Sequence, residues 1–95
     1  MSLAERCRAM TSAARAGRVE VAMNIITTSC ETEAKRGRDA LRISLQALEL
    51  APDDLVAGCE MRVMLAAAIA AMEMRWVVND NSANQPDAIT LFWCK

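Results

Sequence analysis

The chain contains no histidine and no tyrosine, and aromatic residues make up only 3% of its 95 positions. Nucleophilic and general acid–base catalysis most often uses a histidine, so the commonest catalytic arrangements are excluded. The glycines stand singly at Gly17, Gly37 and Gly58, which excludes a glycine-rich loop that cradles phosphate. We therefore predict no enzyme activity, no catalytic residue and no cofactor.

The chain also has no pair of cysteines at metal-binding spacing. Without a CxxC pair and without histidine, the sequence predicts no metal site. The first ten residues carry charges where a signal peptide would have its apolar core, so we expect a cytoplasmic protein with reduced thiols. The four cysteines are Cys7, Cys30, Cys59 and Cys94.

Long apolar runs and a strong net charge are absent as well. The longest apolar run, Val63 to Met72, is about half the roughly 20 residues that a bilayer span requires, so no membrane helix is expected. The net charge is −1, which argues against a dedicated nucleic-acid-binding protein, because such binding depends on cationic contacts to phosphates.

The first helix is predicted over residues 3–16. Ser2 is a suitable N-cap residue with Glu5 three positions later, and Gly17 follows as the expected C-terminal glycine. One apolar face recurs at spacings of four, three and four and consists of Leu3, Cys7, Met10 and Ala14.

The second predicted helix covers residues 19–50, where the chain has no proline. Poor helix formers near Thr28, and Gly37 further along, indicate a bend or break at one of these points. One bent helix and two separate helices both remain open.

Pro52 ends this helix, and Asp53 and Asp54 are suited to cap a third helix over residues 54–78. The stretch from Leu41 to Trp76 is then an antiparallel αα-hairpin. The fold prediction is all-α: one domain over residues 1–95, built as a small bundle of three to four helices.

The end of the chain is predicted to be a polar loop over residues 79–87 and an apolar tail over residues 88–95. The tail contains Phe92 and Trp93. Either it folds back onto its own core, which we favour because exposed rings are costly, or it inserts into a partner.

Two segments resemble tetratricopeptide repeats. Residues 17–22 resemble the corner between the two helices of a repeat, and residues 40–57 include Ala-Leu-Glu-Leu-Ala-Pro-Asp-Asp, which is similar to the end of a repeat. The sequence departs from the family because Ala22 and Ala40 are too close together for a 34-residue period and because Ser44 replaces a large aromatic. The resemblance implies helical hairpins that bind a peptide or a protein partner.

A surface for self-association is predicted on the third helix. Its segment from Val63 to Met72 is apolar on every side, and Ala67 and Ala71 would let a second helix approach closely, so we expect a homodimer or a higher oligomer.

A second candidate surface is a basic cluster on the second helix. It would dock an acidic partner or a phosphate backbone, and it consists of Lys35, Arg36, Arg38 and Arg42.

The leading prediction is a non-catalytic protein–protein interaction module, acting as an adaptor, chaperone or inhibitor. One alternative is a small nucleic-acid-associated regulator that uses the basic cluster. Another is an inhibitor of a host protein encoded by a phage or mobile element.

Overall fold

The computed structural model describes residues 2–94, which form two helices against one face of a three-stranded antiparallel sheet. The predicted all-α bundle is therefore wrong, and the fold is α+β. The elements in chain order are α1 (Leu3–Lys35), β1 (Ala40–Ser44), a 3₁₀ turn (Pro52–Leu55), α2 (Glu60–Ala71), β2 (Arg75–Asp80) and β3 (Pro86–Phe92).

The last strand, β3, is the centre of the sheet, in the order β1-β3-β2. Residues 86–92 are therefore a core element, whereas the sequence predicted a loop up to residue 87 and a tail after it. The segment does pack on its own chain, as a strand with Ile89 and Leu91 fully buried. Leu91 lies opposite both Leu41 and Trp76, and Ile89 lies opposite Ile43 and Val78.

Helix α1 is continuous through Gly17, where the predicted end of a first helix is wrong, and through Thr28. Of the two positions predicted for a break, Thr28 and Gly37, the structure has the break at Gly37. The threonine hydroxyls are accommodated because Thr27 donates to the carbonyl oxygen of Met23 at 2.8 Å and Thr28 to that of Asn24 at 3.1 Å. Burial of one face offsets the weak propensity of this stretch. The buried residues of α1 are Val19, Ala22, Ile26 and Cys30.

Both ends of α1 are defined by local hydrogen bonds. At the start, the Ser2 hydroxyl accepts from the N–H of Glu5 at 3.1 Å, which confirms the predicted N-cap. At the end, Gly37 has φ +81° and its N–H donates to Ala34, while the N–H of Arg38 donates to Glu33. This is the Schellman pattern, and it ends the helix well before Leu50.

Residues 40–44 form strand β1, so the predicted helix over this part of residues 19–50 is wrong. Leu41 and Ile43 face the core and alternate with exposed Arg42 and Ser44. Such an alternation fits a strand at least as well as a helix. Pairing with β3 decides between them, because it satisfies the backbone N–H and C=O groups of this segment.

Helix α2 is much shorter than the predicted 54–78, and the αα-hairpin over 41–76 does not form. Gly58, with φ +84°, separates the 3₁₀ turn from the start of α2. Glu73, with φ 59°, ends α2 in a second Schellman turn, because its N–H donates to Ala70 and that of Met74 donates to Ile69.

The apolar segment of α2 is buried on one side only. Met61, Leu65 and Ile69 lie in the core at spacings of four, whereas Val63 is 60% exposed. The chain itself leaves the outer face of this helix uncovered, and its coverage by a second copy stays a prediction. The alanine side chains on its outer face expose little apolar area, so leaving this face in water costs little free energy.

Helix α1 gives the molecule its elongated shape. A helix of 33 residues is about 50 Å long, and the greatest extent of the chain is 52 Å. Only the second half of α1 carries buried residues, so its first half projects from the body as an arm. Within residues 2–94, no helix is both long enough and apolar enough to cross a membrane.

Candidate protein interaction surface

The arm of α1, residues 3–18, contains no buried residue. Two large apolar side chains on it are nevertheless exposed, Leu3 at 67% and Met10 at 64%. Val21, at 42%, continues the same line just beyond the arm. This row of exposed apolar side chains on one helix is the candidate interaction site.

These side chains belong to a continuous heptad pattern, which we call the α1 stripe. Its spacings of four and three are those of the a and d positions of a coiled coil. At 3.6 residues per turn, the stripe lies about 145° around the helix from the buried face of α1, so it points away from the sheet. Its members are Leu3, Cys7, Met10, Ala14, Gly17 and Val21, all exposed.

Two ion pairs hold the base of the arm against the body. The guanidinium of Arg15 binds the carboxylate of Glu60 at the start of α2. Arg18 binds both carboxylate oxygens of Asp54, at 2.5 and 3.4 Å. These contacts join the arm to α2 and to the 3₁₀ turn, while the continuous helix α1 sets its direction.

Asp54 is the electrostatic centre of this junction. Burial alone would raise the pKa of its carboxyl, but the hydrogen bond from the N–H of Ala51 and the ion pair with Arg18 outweigh burial and lower it, with a smaller contribution from Arg15. The carboxylate therefore stays ionised at neutral pH. Its role is to anchor the 3₁₀ turn and α1, rather than to cap a long third helix as predicted.

A groove of about 380 Å³ opens along the C-terminal half of the stripe, from Ala14 to Val21. It is lined by the small residues Ala14 and Gly17, by their neighbours Arg18 and Val21, and by Glu49 from the segment after β1. Nothing lies within 4 Å of a Cβ placed on Gly17, so the space above this glycine is open. A side chain from another helix fits such a depression as a knob fits a hole.

Trp93 lines a second, apolar cleft at the other end of the molecule. The cleft holds about 270 Å³ between the C-terminal half of α1 and the end of α2. Trp93 is half-buried there, so it packs at the edge of its own core rather than standing free for a partner. The other lining residues are Thr27, Cys30, Glu31, Ala34, Met72 and Met74.

Phe92 lies on the opposite face of the sheet from the helices. It sits in the central strand between Ala40 and Arg75, and it is half-buried. The structure thus separates Phe92 and Trp93, which the sequence grouped as one apolar segment, onto different sides of the sheet.

The two predicted helix-seam residues, Ala67 and Ala71, are exposed on the outer face of α2. Val63 lies on the same face, one turn before Ala67. This face is shorter than the α1 stripe, and Val63 is its only large exposed apolar side chain between Glu60 and Ala71 among the described residues.

The predicted basic cluster is split between elements. Lys35 ends α1 and Arg42 lies on the outer face of β1. Arg36 and Arg38 both bind the Glu33 carboxylate, at 3.1 and 3.2 Å. Because one carboxylate already binds two of its arginines, the cluster is a weaker cationic surface than its sequence suggested.

The four cysteines are free thiols and belong to different parts of the chain. Burial raises the pKa of the Cys30 thiol, as expected for a residue in the core. Within residues 2–94, no three histidine, cysteine, aspartate or glutamate residues lie together in a way that could hold a metal ion.

The chain was compared with known protein families, curated proteins and solved structures. No protein-family model, no curated protein and no solved structure matches the chain. Its function is therefore inferred from its own surfaces.

The sequence predicts four of the six residues of the α1 stripe, and the structure shows that they are exposed rather than packed on the core. The spacing of Leu3, Cys7, Met10 and Ala14 predicts the packing face of a short helix that ends at Gly17. The same spacing of three and four continues through Gly17 to Val21, and this continuation is the signal for one long exposed seam. The sequence contains no signal for the two anchoring carboxylates, Asp54 on the 3₁₀ turn and Glu60 on α2. An ion pair between distant segments depends on the fold.

Proposed function

We propose that the protein is a non-catalytic protein–protein interaction module, an adaptor, chaperone or inhibitor, that binds a helix along the α1 stripe. The observation that carries the proposal is the line of exposed apolar residues on an arm without any buried residue. A partner helix is favoured over an extended peptide because the stripe has coiled-coil spacing.

The free energy of burying its apolar side chains favours a stripe that is covered by a partner. Burying a leucine or methionine side chain stabilises by roughly 1.5 to 3 kcal/mol, so Leu3 and Met10 together offer substantial binding energy. An isolated helix of about 12 to 15 residues is marginal in water, and the arm over residues 3–18 gains little from tertiary packing. A partner helix on the stripe would bury these two side chains and would also give the arm the tertiary packing that it lacks.

The anchored base makes the arm a suitable binding element. Arg15 and Arg18 join its base to the body through Glu60 and Asp54. A pre-oriented helix loses less conformational entropy on binding than a free one. The opposite, polar side of the arm provides no comparable apolar row.

We further propose that the protein acts in the cytoplasm or another reducing compartment. All four cysteines are free thiols, and Cys7 lies exposed in the stripe itself. An exposed thiol in a binding surface is preserved only where disulfide formation is suppressed.

The test is affinity capture from the native host with a tagged chain, followed by mass spectrometry. The wild type and a Val77→Asp control, which alters an apolar residue of similar exposure outside the stripe, should retain the same partner in stoichiometric amount. A Met10→Asp variant should lose it. Equal recovery with Met10→Asp would contradict the stripe as the binding surface, and the predicted surface on α2 would then be tested with Ala67→Glu.

A further inference from the structure

We propose that the occupant of the α1 stripe is the stripe of a second copy of this chain, running antiparallel. This inference rests on the proposed interaction function and specifies its partner. It follows from how large and small residues, and positive and negative charges, are distributed along the arm.

The stripe is asymmetric in size. Its first half is Leu3, Cys7 and Met10 and its second half is Ala14, Gly17 and Val21, so two of its three large side chains lie in the first half. In an antiparallel pair, each a position faces a d position of the other helix. Met10 then faces the partner's Ala14, so a large side chain lies over a small one at the groove.

The remaining layers fit the same register. Leu3 faces the partner's Val21, and Cys7 faces the partner's Gly17. A parallel pair would instead place Met10 against Met10 and Gly17 against Gly17, so it would crowd one layer and leave another hollow. Close packing without voids favours the antiparallel arrangement.

Charge complementarity points to the same register. In an antiparallel coiled coil the g positions of the two helices face each other, and here Arg6 meets the partner's Glu20. Both residues are exposed, and within residues 2–94 neither forms an ion pair in its own chain. The two-fold symmetry makes this pair twice. In a parallel pair, Arg6 would face Thr11 and gain nothing.

Gly17 supplies an independent argument. A glycine in a helix interior costs about 1 kcal/mol relative to alanine. Among residues 2–94 no contact requires this glycine, since its backbone is helical and no atom lies within 4 Å of the position that a Cβ would take. Facing the partner's Cys7, the missing side chain leaves room for the thiol and for close approach of the two helices.

The orientation is tested by disulfide formation under mild oxidation, in a Cys94→Ser background that removes the other exposed thiol. In the antiparallel pair the two Cys7 residues lie ten positions apart along the axis, about 15 Å, so they do not form a disulfide with each other. Gly17→Cys places a thiol opposite the partner's Cys7 and should give a covalent dimer on a non-reducing gel.

The control is Gly17→Cys combined with Cys7→Ser, which should abolish the covalent dimer. A covalent dimer through Cys7 without Gly17→Cys would overturn the orientation in favour of a parallel pair. If no variant gives a covalent dimer although host capture still recovers a partner through Met10, the second copy is the wrong occupant while the interaction function stands.

The charge pair is tested by reversal. Arg6→Glu and Glu20→Arg should each weaken self-association by roughly tenfold, because each places like charges opposite one another twice. The double reversal should restore it, and the restored affinity should fall with added salt. A double variant as weak as the single variants would contradict the pairing of residues 6 and 20.

Discussion

Arg18 binds Asp54 through two nitrogens of its guanidinium, across 36 positions of sequence. The contact joins α1 to the 3₁₀ turn where the arm leaves the body. It also makes this junction sensitive to acid, since the ion pair with Arg18 exists only while the Asp54 carboxylate is ionised.

Asp54→Asn tests this junction. Because the pKa of Asp54 is lowered from 3.8 in the fold, its contribution to stability is present above that value and is lost as the pH falls through the lowered pKa. Arg18 is nearly half exposed, so we expect Asp54→Asn to cost under about 1 kcal/mol at pH 7. Urea unfolding at pH 7 and at pH 3 should show a larger cost at the higher pH. Asp53→Asn, at the exposed neighbouring position, is the matched control, and an equal loss in both variants would contradict the assignment.

The left-handed residues that end the two helices should respond oppositely to substitution. Gly37→Ala forces a side chain into φ +81° and should destabilise by roughly 1 to 2 kcal/mol, although no atom blocks the new Cβ. Glu73→Gly relieves the same strain at φ 59° and should be neutral or stabilising by up to about 1 kcal/mol. Thermal unfolding of both variants measures the difference. A stabilising Gly37→Ala would show that the Schellman end of α1 is misassigned.

The one-sided burial of α2 makes a third prediction. Leu65 is 1% exposed. Leu65→Ala should lower the free energy of unfolding by about 2 to 5 kcal/mol, because it removes buried methyl groups and leaves a cavity. Val63→Ala, on the outer face of the same helix, should change the free energy of unfolding by no more than about 0.5 kcal/mol. Guanidinium unfolding compares the two. Similar large costs at both sites would mean that α2 is covered on both faces and that a partner lies on its outer side.

The sequence predicts the start of α1, which depends on nearby residues, and misses the elements that depend on distant ones. Ser2 caps α1 because its hydroxyl needs only Glu5. Residues 40–44 fit a helix or a strand, since Leu41 and Ile43 suit either pattern. Only β3, about 50 positions later, decides for a strand by pairing with it.

The predicted functional residues illustrate the same limit. Arg36 and Arg38 form a cationic cluster in the sequence, but Glu33 reaches both once the chain turns at Gly37. Gly17 predicts a helix end because glycine is common there. That prediction leaves Gly17 and Val21 out of the α1 stripe, so the full length of the exposed surface is missed.

The α1 stripe as a self-association surface is tested most directly by sedimentation equilibrium at micromolar concentration. The wild type and Val77→Asp should have twice the chain mass of 10.4 kDa. Met10→Asp should have the mass of one chain, with its helical circular dichroism showing that the body remains folded. A wild type that stays at 10.4 kDa across the concentration range, or a Met10→Asp variant that remains dimeric, would contradict self-association through the stripe.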